Sequence, residues 1–540
     1  MNGSPDFDEF ERTRKSAAGN ASVAAPVPDG AEAQGVSATE RTAHRPRERR
    51  SDKGRRNRAA TAAASPLVAQ LRGIVGAERI LFDPEELLVY ECDGYTVEKK
   101  APDVVVFPQS TEEVAAVVRC CLEHDVPFVP RGAGTSLAGG CLPVGGGVMV
   151  ALTHMNRILE VSLRDRYAVV QPGVVNLHLT RYLAGTGFHY APDPSSQGAC
   201  TIGGNVATNS GGPHTLKYGV TTNHVLGLEV VLPDGTVTQF GGPCEDAAGY
   251  DLTGLLVGSE GTLGIATRIW VRITRDPQAH RTLLAVFDTV DDATRAISHI
   301  IGAGIIPAAL EMMDQGIIEA VEAAFRFGFP LDAGAVLLIE VDGLEVCVDE
   351  EAGRIEAICR DHHAREVRRA HSERERQLLW KCRKQAFGAI GRLSPSYCTQ
   401  DGVVPRTKLP EILRFIYDVG KRFGLRIVNV FHAGDGNIHP ILLFDERDGT
   451  QVRRVLQAGA EILGKCLELG GSVTGEHGIG VEKLDFMPRM FGDSGLAVMR
   501  SIREAFDPRG LCSPGKVLPT AGGCSAEPIR PTHPGRRAPL

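Results

Sequence analysis

Little in this sequence would carry it into a membrane. No uninterrupted apolar run approaches the roughly 20 residues that span a bilayer, and the first residues lack the basic-then-apolar order of a secretory signal. Cysteine-based scaffolding is also missing. The thirteen cysteines are scattered, Cys120 and Cys121 forming the single adjacent pair, with no C-x-x-C spacing among them. That pattern argues against a disulfide framework and against a cysteine-held cluster, and it fits a reducing compartment. Positive charge is not in surplus: the net charge is −7, so composition offers no attraction to nucleic acid or to an anionic membrane. The commonest nucleotide motifs are absent too, with no Gly-Lys-Ser/Thr Walker loop and no clean G-x-G-x-x-G opening a long helix. The expectation is a cytoplasmic protein that meets the inner membrane only through partners.

What is present is a long, glycine-rich chain. Its 540 residues, 43% hydrophobic and 23% charged, can hold two or three domains with large cores. Residues 1–64, rich in Ala, Gly, Pro, Ser and charge, are expected to be a disordered tail, and 519–540 a flexible one. Ser110 and Glu113 have the spacing of a capping box, and Val114, Val117, Val118, Cys121 and Leu122 follow one-sided helical periodicity. A short strand over 126–130 then runs into Arg131, Gly132, Ala133, Gly134, Thr135 and Ser136. Such a loop lets successive backbone N–H groups converge on an anion, with two hydroxyls as further donors. Taken alone it reads equally as a tight turn. Two more glycine-dense stretches, 191–212 and 258–265, move the balance toward backbone lying flat against a large rigid ligand. A hairpin around Asp234-Gly235 lies between them.

After Arg275 the pattern alternates. Strands are expected over 282–287, 308–313, 335–341 and 366–370, and helices over 293–301, 316–327 and up to about His363. This suggests a ferredoxin-like sheet with helices on one face. A long helix follows, containing 378–387, in which Arg383 sits amid apolar residues. Its guanidinium either lies over the surface with a packed stem or clamps a substrate carboxylate bidentately. Lys381 and Lys384 are nearby cations without that planar fork.

The stretch 428–444, VNVFHAGDGNIHPILLF, reads as a β-hairpin. With Asp435-Gly436 as a two-residue type I′ turn, His432 would lie opposite His439, their Cβ atoms about 5 Å apart. Glu476, in the glycine-punctuated turn 472–480 with His477 beside it, is the candidate carboxylate. Two imidazoles and one carboxylate suit a catalytic divalent metal with open positions. The competing reading makes these histidines hydrogen-bonded core residues.

Residues 131–140, 192–212, 217–219 and 259–265 resemble, in order, the adenine-dinucleotide-binding domain of the vanillyl-alcohol-oxidase/PCMH flavoproteins. The segment 278–518, with HAGDGNIH, GEHGIG and Pro514-Gly515-Lys516, resembles the C-terminal domain of FAD-linked 2-hydroxy-acid oxidases and dehydrogenases. The fold implied is α+β: a PCMH-type FAD-binding domain over 65–277 and a ferredoxin-like C-terminal domain over 278–518. The resemblance implies FAD, non-covalent because no histidine lies in 130–140. Its contacts are expected from Arg131 to Ser136, from Pro192, Asp193, Ser195, Gly198, Thr201, Gly203, Gly204, Asn205, Asn209 and Gly211, and from Glu260, Gly264, Ile265 and Asn437. It further implies a divalent metal, zinc first, on His432, His439 and Glu476, His477 as proton acceptor and Arg383 as carboxylate clamp. The reaction implied is oxidation of a small 2-hydroxy acid, glycolate or D-lactate. Phe387 and Thr399 stand where 2-hydroxyglutarate dehydrogenases of the family hold the distal carboxylate. Electrons would leave to a second flavin-type subunit and an iron–sulfur subunit, or to a quinone. The competing functions are a stand-alone D-lactate dehydrogenase, a non-catalytic FAD-binding subunit and an NAD(P)H-driven flavin reductase. Ser513 replaces the family's usual Asn before Pro-Gly-Lys, which puts a flavin or turn contact at issue.

Overall fold

Residues 65–244 and 249–519 are described by the computed structural model; the tails expected over 1–64 and beyond 519 lie outside the described residues. The chain enters through helix α1 (Pro66–Val75) and builds a small sheet from β1 (Ile80–Leu81), β2 (Val104–Val106), β3 (Phe128–Arg131) and β4 (Val148–Ala151). The order is β1-β2-β4-β3, with β2 and β3 both parallel to β4. A parallel pair needs a crossover, and α2 (Thr111–Glu123) supplies it between β2 and β3. Val114, Val117, Val118 and Cys121 face the core, while Leu122 is half-buried. Half of the expected capping box forms. Ser110 accepts the Glu113 amide, but the Glu113 carboxylate takes the Gln109 amide and Arg79.

An antiparallel sheet follows: β5 (Ile158–Ser162), β6 (Tyr167–Val170), β7 (Val225–Val231), β8 (Val237–Gly241) and β9 (Ile265–Arg272), ordered β5-β6-β9-β7-β8. The β7–β8 hairpin turns at Asp234-Gly235 as expected, Gly235 taking φ +81°. Helix α3 (Ile202–Thr208) carries the middle glycine-rich stretch.

The C-terminal domain starts with β10 (Ala279–Phe287), α4 (Val290–Gly302), β11 (Ala309–Asp314), α5 (Gln315–Phe325), β12 (Ala335–Gly343), α6 (Glu345–Asp361) and β13 (Glu366–Arg369). The four strands lie antiparallel in the order β13-β10-β12-β11, which is the ferredoxin-like arrangement, with α4 and α6 as its two crossover helices. The expectation of helices on one face is overturned. Leu283, Leu310, Met312, Leu337 and Ile339 pack under α4 and α6. Leu284, Val286, Met313, Val336 and Leu338 pack under the extra helix α5 and under α7 (Glu373–Lys384) and α8 (Ala386–Ile390). The uninterrupted apolar run in β10 and β12 is the physical sign of a sheet buried on both faces. The long helix expected over 378–387 is two helices, divided at Gln385, whose φ −93° and ψ 2° depart from helical values.

β14 (Ser396–Thr399), β15 (Gly402–Val403), α9 (Leu409–Phe423), β16 (Arg426–His432), β17 (Asn437–Ile438) and β18 (Pro440–Phe444) extend that sheet, and α10 (Gly449–Glu468) and α11 (Met487–Phe506) close the chain's helical cover. The last described stretch then returns to the first domain. Phe128 donates to the Leu511 carbonyl and accepts from the Ser513 amide, and Leu511 and Cys512 complete the core beneath α2. Ser513, at φ +48°, is buried in this turn and is not on the cavity wall described below, so its contact is a turn contact. Among the described residues no helix is long and apolar enough to cross a membrane.

Candidate active site

The hairpin at 428–444 forms, but in another register. A type I′ turn needs positive φ at both central residues; here Gly436 has φ +84° and Asp435 does not, its carboxylate instead accepting the Asn437 amide. The turn is Ala433-Gly434-Asp435-Gly436, and His432 pairs with Asn437 rather than His439. A shift of two residues keeps both histidines on one face. His439, in the gap between β17 and β18, reaches His432 diagonally, ring centres 5.1 Å apart.

Glu476 closes the cluster. Its Oε1 lies 3.2 Å from His432 Nε2 and 3.1 Å from His439 Nε2. His477 stacks on His439 with ring centres 5.0 Å apart and planes 7° from parallel, its Nε2 4.0 Å from the same oxygen. The loop holding Glu476 and His477 is built around Asp401, which is fully buried. Asp401 Oδ2 accepts the amides of Gly475, Glu476 and His477 at 2.8–3.1 Å and the Thr474 hydroxyl at 2.7 Å. The first domain holds the same loop: Glu260 accepts the Ile479 and Gly480 amides at 2.6 and 2.8 Å. Gly480 is required there, because a Cβ would sit 1.9 Å from the Ala138 carbonyl oxygen and φ is +52°.

Each cluster histidine has a buried carboxylate behind it. His432 Nδ1 lies 2.8 and 3.0 Å from the two oxygens of Glu311, which pairs at 2.6 Å with Arg383 Nη2. His439 Nδ1 lies 3.7 Å from Asp401 Oδ1. Burial opposes charge on His432, but Glu311 and Glu476 outweigh it and hold the ring well above the usual histidine range. Burial likewise opposes ionisation of Glu476, yet the two histidines hold it well below the usual carboxylate range. His477 is pushed down to about 4 by its burial and is neutral at pH 7.

This donor set fits a divalent metal. His432, His439 and Glu476 offer two ring nitrogens and a carboxylate oxygen within 4.8 Å of one another, and buried Glu476 Oε2 has no hydrogen-bond partner. Carboxylates behind metal-binding histidines fix ring orientation and tautomer. Asp401, His439 and His477 form an overlapping triad that shares His439.

The cluster opens on the glycine-rich loops. A cavity of 320 Å³ is lined at one end by Arg131 to Ser136, Ser195, Thr201, Gly203, Gly204, Asn205 and Glu260, and at the other by Lys384, Phe387, Tyr397, His439, Glu476 and His477. Over the first end the surface is largely backbone and small hydroxyl side chains, a form suited to a flat dinucleotide. Several expected contacts lie off this wall. Asp193 is turned to His214 and Lys384. Asn209 caps α3 with its side chain on the Thr222 amide. Gly264 and Ile265 border a separate 50 Å³ space. Asn437 packs on Gly475, and Pro192 and Gly198 do not line the cavity. Gly211 borders Glu476, where a Cβ would stand 3.2 Å from Oε2. His432 and Arg383 sit one layer behind, Arg383 fully buried with Nε and Nη1 unpartnered. Sequence reasoning missed Glu311 and Asp401. An acid in the middle of the apolar strand Ala309–Asp314 was a signal for the first; Asp401 before Gly402 looks like any turn.

A two-domain architecture with a glycine-walled cavity closed by a polar cluster is that of flavin-dependent oxidoreductases. Residues 102–241 match the FAD binding domain and 276–517 the C-terminal domain of FAD linked oxidases. The chain belongs to the FAD-linked oxidase family. It is 44% identical to the glycolate oxidase subunit GlcD of Escherichia coli (strain K12) over 471 residues, 87% of this chain and 94% of the relative. It is 34% identical to a probable mitochondrial D-lactate dehydrogenase of Danio rerio, covering 86% and 94%. Among solved structures, p-cresol methylhydroxylase with substrate bound shares the fold, with TM-score 0.72 over 86% of this chain and 97% of that one at 17% identity.

Proposed function

We propose that the chain oxidises a small 2-hydroxy acid, glycolate or D-lactate, to the 2-oxo acid. The observation that carries this is the meeting of the His432–His439–Glu476–His477 cluster with the glycine-walled end in one cavity. Bound FAD supplies a two-electron acceptor, and a divalent cation, zinc first and iron or manganese next, supplies positive charge at His432, His439 and Glu476. His477 accepts the hydroxyl proton: its ring is neutral at pH 7, lines the cavity and is fixed by its stack on His439. Asp401 holds the His477 backbone in place, and Glu311, braced by Arg383, orients His432. Electrons leave to partner subunits, as the GlcD relatives' names suggest, or to a quinone. Any membrane contact runs through those partners, from the cytoplasm.

The test is turnover of purified, flavin-loaded protein on a panel of hydroxy acids with a dye as acceptor, together with metal analysis. His477→Ala should keep the flavin absorbance and lose about 10²–10⁴ in kcat. Bleaching of the flavin by NADH faster than by any hydroxy acid would make the protein a reductase instead.

A further inference from the structure

The rings of His439 and His477 stack with planes 7° from parallel, and the pair stands between two carboxylates. On one side both Nε2 atoms face Glu476 Oε1, at 3.1 Å from His439 and 4.0 Å from His477. On the other side both Nδ1 atoms face Asp401. His439 Nδ1 lies 3.7 Å from Oδ1, and His477 Nδ1 lies 4.0 Å from Oδ2. The two oxygens of Asp401 are used differently. Oδ2 accepts the Gly475, Glu476 and His477 amides and the Thr474 hydroxyl, and it lies 3.5 Å from the Lys483 ammonium. Oδ1 accepts a hydrogen bond from none of the described residues; it, His439 Nδ1 and His477 Nδ1 are all buried and unpartnered.

We propose that a single buried water bridges Asp401 Oδ1, His439 Nδ1 and His477 Nδ1 and fixes the tautomer of both rings at once. The use made of those tautomers rests on the roles given to the two rings above. A polar gap wider than about 3.5 Å inside a protein calls for a bridging molecule, and three polar partners are what a buried water takes. Two legs of about 2.8 Å meeting near a right angle span about 4 Å, close to the 3.7 and 4.0 Å found. A cation about 2.1 Å from each donor would have to open both angles well beyond a tetrahedral value. Lys483 is fully buried and its ion-pair partner is Asp401, so its charge requires Asp401 to be a carboxylate, which only accepts. The water therefore donates to Oδ1 and accepts an N–H from each ring. Both Nδ1 atoms carry the proton, and both Nε2 atoms keep a lone pair, that of His439 toward Glu476 and that of His477 toward the cavity. Asp401 is thus a positioning residue for ligand and base together.

The experiment reads isotope-labelled histidine ring nitrogens by NMR in full-length protein loaded with flavin and with zinc as the probe. His439 and His477 are assigned by the signals lost in His439→Gln and His477→Gln. Wild type should carry the proton at Nδ1 in both rings. Asp401→Asn is the discriminating variant. Its amide oxygen must stay on the three backbone amides, so its NH2 group faces the water; the water then turns a hydrogen toward one ring, and that ring moves its proton to Nε2. With the wrong tautomer kcat should fall about 10²–10⁴-fold at unchanged flavin content. Thr474→Val loosens the same loop without reversing a donor, and should keep both tautomers. A wild-type Nε2–H on either ring, an Asp401→Asn protein that keeps both tautomers, or a second zinc per chain that disappears in Asp401→Asn overturns the site. Should Asp401→Asn fail to fold, the wild-type spectra decide. If wild type turns over no 2-hydroxy acid, the reaction falls and the water site is judged by the spectra alone.

Discussion

The two ends of the cavity are built in opposite ways. At the first-domain end the surface is largely main chain, exposed by glycine at 132, 134, 203 and 204, with small hydroxyl side chains among it. At the C-terminal end the surface is side chain, and each polar group is fixed by another buried behind it: Glu311 behind His432, Asp401 behind the Glu476–His477 loop. A cofactor-sized plane is met mostly by backbone, with Arg131 and Glu260 as the charged side chains at that end. A reacting centre needs ionisable groups, and these require buried counter-charges. The difference predicts that substitutions at one end act through fit and at the other through charge.

The largest expected effect tests the charged end. Glu311 and Arg383 are both fully buried and paired at 2.6 Å. Glu311→Gln leaves the guanidinium without its counter-charge, and breaking a buried pair from one side costs about 3–5 kcal/mol. Urea unfolding should register that loss, and the double variant Glu311→Gln/Arg383→Met should recover part of it, since the stranded charge is then gone. A double variant no more stable than the single one would mean the pair is not what holds this end together.

The next effect tests the backbone end. A Cβ on Gly203 would stand 2.5 Å from Pro172 Cβ and 2.9 Å from the Pro172 carbonyl oxygen. Neither atom is the tip of a flexible chain, so α3 must move off the cavity wall. Overpacking of this kind costs about 1–3 kcal/mol. Gly203→Ala should lose flavin on gel filtration while retaining the unfolding midpoint of flavin-free protein to within a few degrees. Equal losses of flavin and of flavin-free stability would erase the contrast between fit and charge.

The same contrast governs what could be read from sequence. The backbone end is contiguous in the chain: a glycine-rich loop after a strand announces itself, and the loops at 131–136 and 201–205 both reach the cavity. The charged end is assembled from β11, the turn at Asp401, the hairpin and the 475–480 loop, positions separated by up to 166 residues between Glu311 and His477. Histidine pairs in a hairpin are visible, although their register is not, because Asp-Gly reads as a two-residue turn where the backbone makes a four-residue one. The layer behind them was not visible at all: a buried carboxylate is recognised by what it holds, and pairings such as Asp401 with the amides of 475–477 are set by tertiary contact alone. Ferredoxin-like order was legible from alternation, while the second helical layer was hidden in apolar runs that fit either a one-sided or a two-sided sheet.

The last effect, read as a pH dependence, lies where the two ends are joined. His214 of the first domain sits 2.9 Å from Asp193 and 3.7 Å from Glu340 of the second, its ring 5.2 Å from Trp380. Burial lowers its affinity for a proton, but the two carboxylates raise it to about 10, against about 6.5 in an unfolded chain. Asp193 is held to about 2 against its own burial by His214 and Lys384. Below pH 6.5 both folded and unfolded chains carry the His214 proton, and its contribution to stability is complete. Between pH 6.5 and about 10 only the folded chain carries it, so the contribution falls as pH rises. On the acid side the Asp193 contribution is present above about 3.9 and is lost as pH falls through about 2. His214→Asn should therefore destabilise most near pH 6 and progressively less toward pH 10, read as the gap between variant and wild-type urea midpoints. A gap that stays constant over that range would assign the ring to packing on Trp380, and the join between the two ends would then be one of fit.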